Sequence, residues 1–137
     1  MPFEVTDQIR RRLVEDPIAW LTTVSPKGRP SPRPVWFLWA GVNCVIYSQP
    51  GTAKLTHIAA NDQVSLHFNS DPHGGDIVVL ASRAELLPDA PPADGWPGML
   101  EKYADLLLTI GMSAEHFVGT YPVALRVIPE RSWTIPA

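Results

Sequence analysis

The stretch Ser48-Gln49-Pro50-Gly51-Thr52-Ala53-Lys54 leaves a strand pattern and enters a helix pattern. The first turn of a helix exposes unpaired N–H groups and a partial positive charge. With the Thr52 hydroxyl and the Lys54 ammonium beside them, these groups form a cradle for phosphate. A second reading needs no ligand: Thr52 caps the helix and Lys54 is solvated. His57 stands three residues after Lys54 on the same helix face. It can join an anion site or remain an ordinary half-exposed histidine. Arg33 shares a strand face with Val35 and Phe37, where it can guide an anionic group or simply face solvent.

No other constellation offers self-sufficient catalysis. The sequence holds no G-x-S-x-G elbow and no Walker A loop. Its four histidines, His57, His67, His73 and His116, form no i, i+4 pair, so a metal site is not expected. Glu101 and Asp105 fall four apart on one helix and read as a solvated face. The single cysteine, Cys44, precedes Val45-Ile46-Tyr47 and reads as a packed thiol. If the chain is an enzyme, a cofactor brings the reactive atom.

The elements that position these residues follow from periodicity. Thr6-Asp7 caps a helix reaching about Asp16, with Val5, Ile9 and Leu13 at four-residue spacing and Pro17 as its stop. Strands are expected over residues 19–25, 30–40, 44–48, 64–69, 76–87 and 121–133. The run Ile77-Val78-Val79-Leu80 predicts burial on both faces. Helices are expected over residues 52–60 and 99–110, with a short turn capped by Ser113. Residues 70–75 and 88–97 read as loops, and Trp96 in the second can act as a lid. Strands joined by short turns, without βαβ alternation, predict a mainly β, antiparallel barrel with a few short helices in one domain, residues 1–137.

Pro30, Pro32 and Pro34 occupy alternate positions of one strand. Alternate residues direct their backbone groups to the same edge, so three prolines strip that edge of N–H donors while leaving its carbonyls free. This edge is expected at a sheet margin, or against a ligand or another subunit, up to Trp36. Trp36 can wall a pocket or an interface.

Composition narrows the partners. A net charge of −3, with no basic run longer than Arg10-Arg11-Arg12, argues against nucleic-acid binding. Those arginines read as the solvated face of a helix. No apolar run is long enough to span a membrane, and no leader precedes the first helix, so a cytoplasmic protein is expected. Charged residues make up only 18%, which hints that a partner subunit covers some surface.

Ala19-Trp20-Leu21-Thr22-Thr23-Val24, Gly28-Arg29-Pro30, Pro34-Val35-Trp36-Phe37, Thr52-Ala53-Lys54, Val64-Ser65-Leu66 and Arg131-Ser132-Trp133 together resemble the pyridoxamine 5′-phosphate oxidase-like split β-barrel superfamily. The likeness is greater to its branch of oxidoreductases that use the deazaflavin coenzyme F420. It implies an FMN-binding-like split barrel, a homodimer and cofactor sites between subunits. It places the cofactor phosphate on Thr52 and Lys54, the ring system along Pro34, Val35 and Trp36, and Ser48 at the site wall. Many relatives carry arginine where Thr52 stands and more basic residues where Leu55, Thr56 and His57 follow. The chain also lacks the longer C-terminal substrate segment of true pyridoxamine-phosphate oxidases, which argues against vitamin B6 chemistry. The expected function is hydride transfer from reduced F420 to an electron-poor double bond of a small apolar substrate. The alternatives are an FMN-dependent oxidase or reductase of the same fold and a non-catalytic cofactor carrier.

Overall fold

The computed structural model describes residues 3–137. Helix α1 (Asp7–Glu15) begins at Thr6, whose hydroxyl accepts the Ile9 N–H at 3.2 Å. Strands β1 (Ala19–Val24), β2 (Pro30–Val35), β3 (Leu38–Trp39) and β4 (Cys44–Ser48) follow, then α2 (Ala53–Ala60). Strands β5 (Gln63–His67) and β6 (Ile77–Leu86) precede a 3-10 turn (Ala93–Gly95). Helices α3 (Met99–Ile110) and α4 (Ala114–Thr120) lead into β7 (Val123–Ile135). Ser113 caps α4 by accepting the His116 N–H. Gly111 ends α3 at a φ of 71°, a left-handed conformation that residues with a Cβ rarely adopt. Among the described residues, no helix is long and apolar enough to cross a membrane.

Every strand pair is antiparallel, and the seven strands form one curled sheet in the order β2-β1-β5-β6-β7-β4-β3. Its concave face holds the main core, built on Leu21, Phe37, Ile46, Leu66, Leu80 and Leu125. A second core lies on the opposite face of β4, where Val45, Tyr47 and Ala124 meet Met99, Tyr103 and Phe117 from the helices. Cys44 is buried, which pushes its thiol up to about 12.

The expected strand over residues 30–40 does not run unbroken. It divides at Trp36–Phe37, and its halves lie at opposite edges of the sheet: β2 pairs with β1, β3 with β4. A link this short spans roughly 10 Å at most, so the sheet must curl until its edges meet. The prolines do lie on the margin. Val24↔Pro30, Thr22↔Pro32 and Trp20↔Pro34 alternate with pairs in which Ser31, Arg33 and Val35 can donate to β1. Strand β6 is not buried on both faces as expected. Val78, Leu80 and Ala84 are in the core, whereas Ile77 and Val79 are partly covered and Ala81 is exposed.

The arginine run is also corrected. Arg10 and Arg11 face solvent, but Arg12 is only 5% exposed. Its guanidinium donates to the carbonyls of Asp76 and Asn69 and to the Asp16 carboxylate, and lies over the Phe68 ring. Asp76, at a φ of 52°, accepts from Gln8 and Arg11, while Gln8 also holds the Ile135 carbonyl at 2.7 Å. Helix α1 thus pins the β5–β6 turn and the end of β7.

The hydrogen bond and charge of Arg11, with help from Gln8, hold the Asp76 carboxyl below its ordinary value. A carboxylate with a depressed folded pKa stabilises the fold above its unfolded value of about 3.9 and loses that contribution as pH falls through the folded pKa. Asp76→Asn tolerates the same backbone conformation but removes the charge. It should be less stable than the parent at neutral pH, and the difference should shrink on acidification below about pH 4 in thermal unfolding curves.

Candidate functional site

A cleft of about 370 Å³ opens between the end of β2, the β4–α2 connection and the α3–α4 pair. Three groups of residues line it. Pro34, Val35 and Trp36 come from the β2 end, and Tyr47, Ser48, Gln49, Thr52 and Lys54 from β4 and the start of α2. Ile110, Met112, Phe117 and Tyr121 come from the helices. Six of the expected site residues therefore converge: Ser48, Thr52, Lys54, Pro34, Val35 and Trp36. Arg33 is exposed and outside the lining, yet near enough for its charge to act on Lys54.

The polar end is built by the tight exit from β4. Gly51, at a φ of 72°, turns the chain so that Thr52 takes the N-cap position of α2. Thr52 does not cap, however: its side chain accepts no helix N–H. The hydroxyl instead lies 3.3 Å from Ser48 Oγ and 3.4 Å from Lys54 Nζ. The capping role read for Thr52 is therefore not present. Among the described residues, no carboxylate pairs with Lys54 or Arg33. Burial, and then repulsion from Arg33, lowers the Lys54 pKa. A half-buried ammonium with a cationic neighbour and no counter-ion is a site that an anion stabilises.

The opposite wall is aromatic. Trp36 stacks on Tyr103 with ring centroids 4.4 Å apart and planes within 3°, and Phe117 tilts against it at 5.4 Å. Tyr103 also fixes the backbone beside Trp36. Its hydroxyl accepts the Phe37 N–H at 2.7 Å and lies 2.8 Å from the Pro17 carbonyl and 2.9 Å from that of Phe37. Lys102 Nζ donates to the Phe37 carbonyl at 2.8 Å and sits 3.5 Å from the centroid of the Phe37 ring. Burial brings this amine down to about 8.

Two other candidates lie elsewhere. His57 turns away from the cleft, with Nδ1 2.9 Å from the Thr23 hydroxyl. Trp96 packs against the second core as its edge and does not form a lid. Sequence reasoning missed Tyr47, Gln49 and the whole helical wall. Tyr47 and Gln49 flank Ser48 and could have been found from it. Ile110, Met112, Phe117 and Tyr121 carried no motif, because only tertiary packing brings them to β2.

Residues 5–132 match the pyridoxamine 5′-phosphate oxidase family profile. No curated protein matches the sequence. Among solved structures, a Listeria innocua protein regarded as a candidate pyridoxamine 5′-phosphate oxidase aligns with a TM-score of 0.68 and 19% identity, over 98% of this chain and 100% of the other. HutZ, a heme storage protein from Vibrio cholerae, aligns at 0.66 and 15% identity, over 97% and 96% of the two chains. An F420 reductase aligns at 0.62 and 20% identity, over 90% and 94%. At these identities the likenesses establish the fold.

The unused cap gives a local test. Removing a capping threonine hydroxyl costs about 1 kcal/mol. Thr6→Ala should lose about that much, whereas Thr52→Ala should change stability by less than about 0.5 kcal/mol, measured by denaturant unfolding. A full capping loss at Thr52 would return its hydroxyl to a structural role.

Proposed function

Because the chain belongs to the pyridoxamine 5′-phosphate oxidase family, we propose that the cleft holds a flavin-type cofactor, that this cofactor is F420, and that the protein is an oxidoreductase acting on a small apolar substrate. The observation that carries this reading is the polar end of the cleft: Lys54, half-buried and without a carboxylate, beside a Thr52 hydroxyl that declines its cap. These residues, with Ser48 and the first N–H groups of α2, suit a cofactor phosphate, and Arg33 adds nearby positive charge. Pro34, Val35 and Trp36 suit a planar ring system. A bound, reduced deazaflavin supplies a hydride; the protein aligns the reactants and excludes water.

The preference for F420 over FMN rests on the likeness of the sequence to the F420-dependent branch of the family. FMN remains the alternative because it presents its phosphate to the same residues. A non-catalytic carrier is the third reading. It is favoured by the apolar Leu55 after Lys54 and by the engagement of His57 with Thr23.

We also propose a homodimer. Pro34, Trp20, His67, Val79 and Trp133 form one row of paired residues across five strands on the convex face. Trp20 stacks on His67 at 6.3 Å, while Trp133 is 58% and Ile135 38% exposed. This row begins at the cleft, so a second copy covering it would border the cofactor.

Titration with F420 and with FMN, followed by fluorescence, should give tighter binding of F420. A heme titration followed by absorbance tests the carrier reading, and binding of neither F420 nor FMN would sink the cofactor proposal. Lys54→Ala should weaken the preferred cofactor by about 10- to 100-fold, the worth of a charged hydrogen bond. Because the Lys54 pKa is lowered, parent affinity should decline with rising pH sooner than for an ordinary lysine, and the variant should lack this decline. In solution scattering the parent should be a dimer and Trp133→Lys should shift it toward monomer; a monomeric parent at micromolar concentration contradicts the interface.

A further inference from the structure

Lys102 is a partly buried cation with no part in the polar end of the cleft. It lies near the N-terminus of α3, where the partial positive charge of the helix opposes an ammonium. Nζ donates to the Phe37 carbonyl at 2.8 Å and lies 3.5 Å from the centre of the Phe37 ring and 5.3 Å from that of Tyr103. Among the described residues, no carboxylate comes within ion-pair distance of it. Asp16, just after α1, attracts it through space but is bonded to Arg12. Cys44 of β4 and Tyr103 of α3 are buried, which pushes both pKa values up and keeps both groups neutral. On α3 itself, Glu101 is exposed. Two ring faces and one carbonyl are what balances the ammonium.

The contact itself does not require the charge. A neutral amine keeps two N–H groups and can still serve the Phe37 carbonyl. The Tyr103 hydroxyl has a single proton and two carbonyls in reach, that of Pro17 at 2.8 Å and that of Phe37 at 2.9 Å. With Lys102 on Phe37, this proton is free for Pro17, so the junction is paired in either state of Lys102. The charge adds a desolvation cost that the closed structure bears and that water removes. Water reaches the amine when the start of α3 lifts from Phe37. The same movement parts Tyr103 from Trp36, which stack at 4.4 Å.

We propose that Lys102 is a proton-operated latch on the cleft wall: its protonated form favours a minor open state in which the start of α3 leaves Trp36–Phe37, and its neutral form holds α3 shut. A group whose pKa is lower in the closed state than in water binds more protons when open. Closure therefore strengthens as pH rises from about 8 toward the ordinary lysine value of about 10.4. The open state stays minor, so the latch governs how readily the aromatic wall yields, and not how tightly Lys54 holds an anion.

Amide hydrogen exchange on the full chain, between about pH 7 and about pH 9.5, reads the opening. Rates are corrected for intrinsic exchange and taken where closing outruns exchange. The Phe37 N–H, bonded to Tyr103, should be less protected than Leu66 in the middle of the sheet, because it exchanges through a local opening. Its protection should rise by about tenfold or more over this range, a factor of ten for each unit separating the closed and open pKa values. Lys102→Met, never charged, and Lys102→Arg, always charged, should both lose the rise. Protection of Phe37 equal to that of Leu66, a flat profile in the parent, or a rise retained in either variant would each overturn the proposal. The two variants remove the titration from opposite sides, so either one suffices if the other does not fold.

Discussion

The two edges of the sheet are joined by Trp36 and Phe37, and one phenol holds that junction. A chain leaving one margin of a sheet and entering the other cannot satisfy its backbone groups in either ladder, and buried unpaired groups are costly. Tyr103 takes the Phe37 N–H, while Lys102 donates to the Phe37 carbonyl. The same Tyr103 ring supports Trp36 from behind. The junction of the sheet edges and the wall of the cleft are therefore both tied to α3, through Tyr103 and Lys102. This explains why a helix remote in sequence from β2 belongs to the architecture of the site.

Legibility in the sequence followed the range of the interactions. Local signals were read correctly: the Thr6 and Ser113 caps, the end of α1 before Pro17 and the uninterrupted β4. The proline phase located a sheet margin, because proline's missing N–H is a property of the residue itself. The division at Trp36–Phe37 was not legible, since Val35 to Ala40 has the composition of one strand and only closure requires the break. Arg12 was misjudged for a similar reason. Its burial depends on carbonyls contributed by Asn69 and Asp76, far along the chain. In the cleft, the grouping of Ser48, Thr52 and Lys54 was visible, whereas the helical wall was assembled by tertiary contact. The unused cap at Thr52 could be settled only by where its hydroxyl points.

The cleft also shows how an uncompensated charge is accommodated. Lys54 is desolvated beside Arg33, an arrangement that disfavours its charged form. By contrast, the α1 clamp surrounds Arg11 and Arg12 with Asp16 and Asp76. Pairing is complete where the fold is locked and missing where the surface opens into a cavity. Such an imbalance costs stability in the free protein and makes anion binding favourable.

The alternating prolines of β2 have a consequence for the protein in a crowded solution. An exposed strand margin is a template on which another chain can build, and repeated addition leads to fibrillar aggregates. An incoming strand must exchange hydrogen bonds in both directions, and here it would meet acceptors alone. The opposite margin, β3, is only two residues long, too short to seed a ladder. Strand-on-strand polymerisation is therefore disfavoured at both margins.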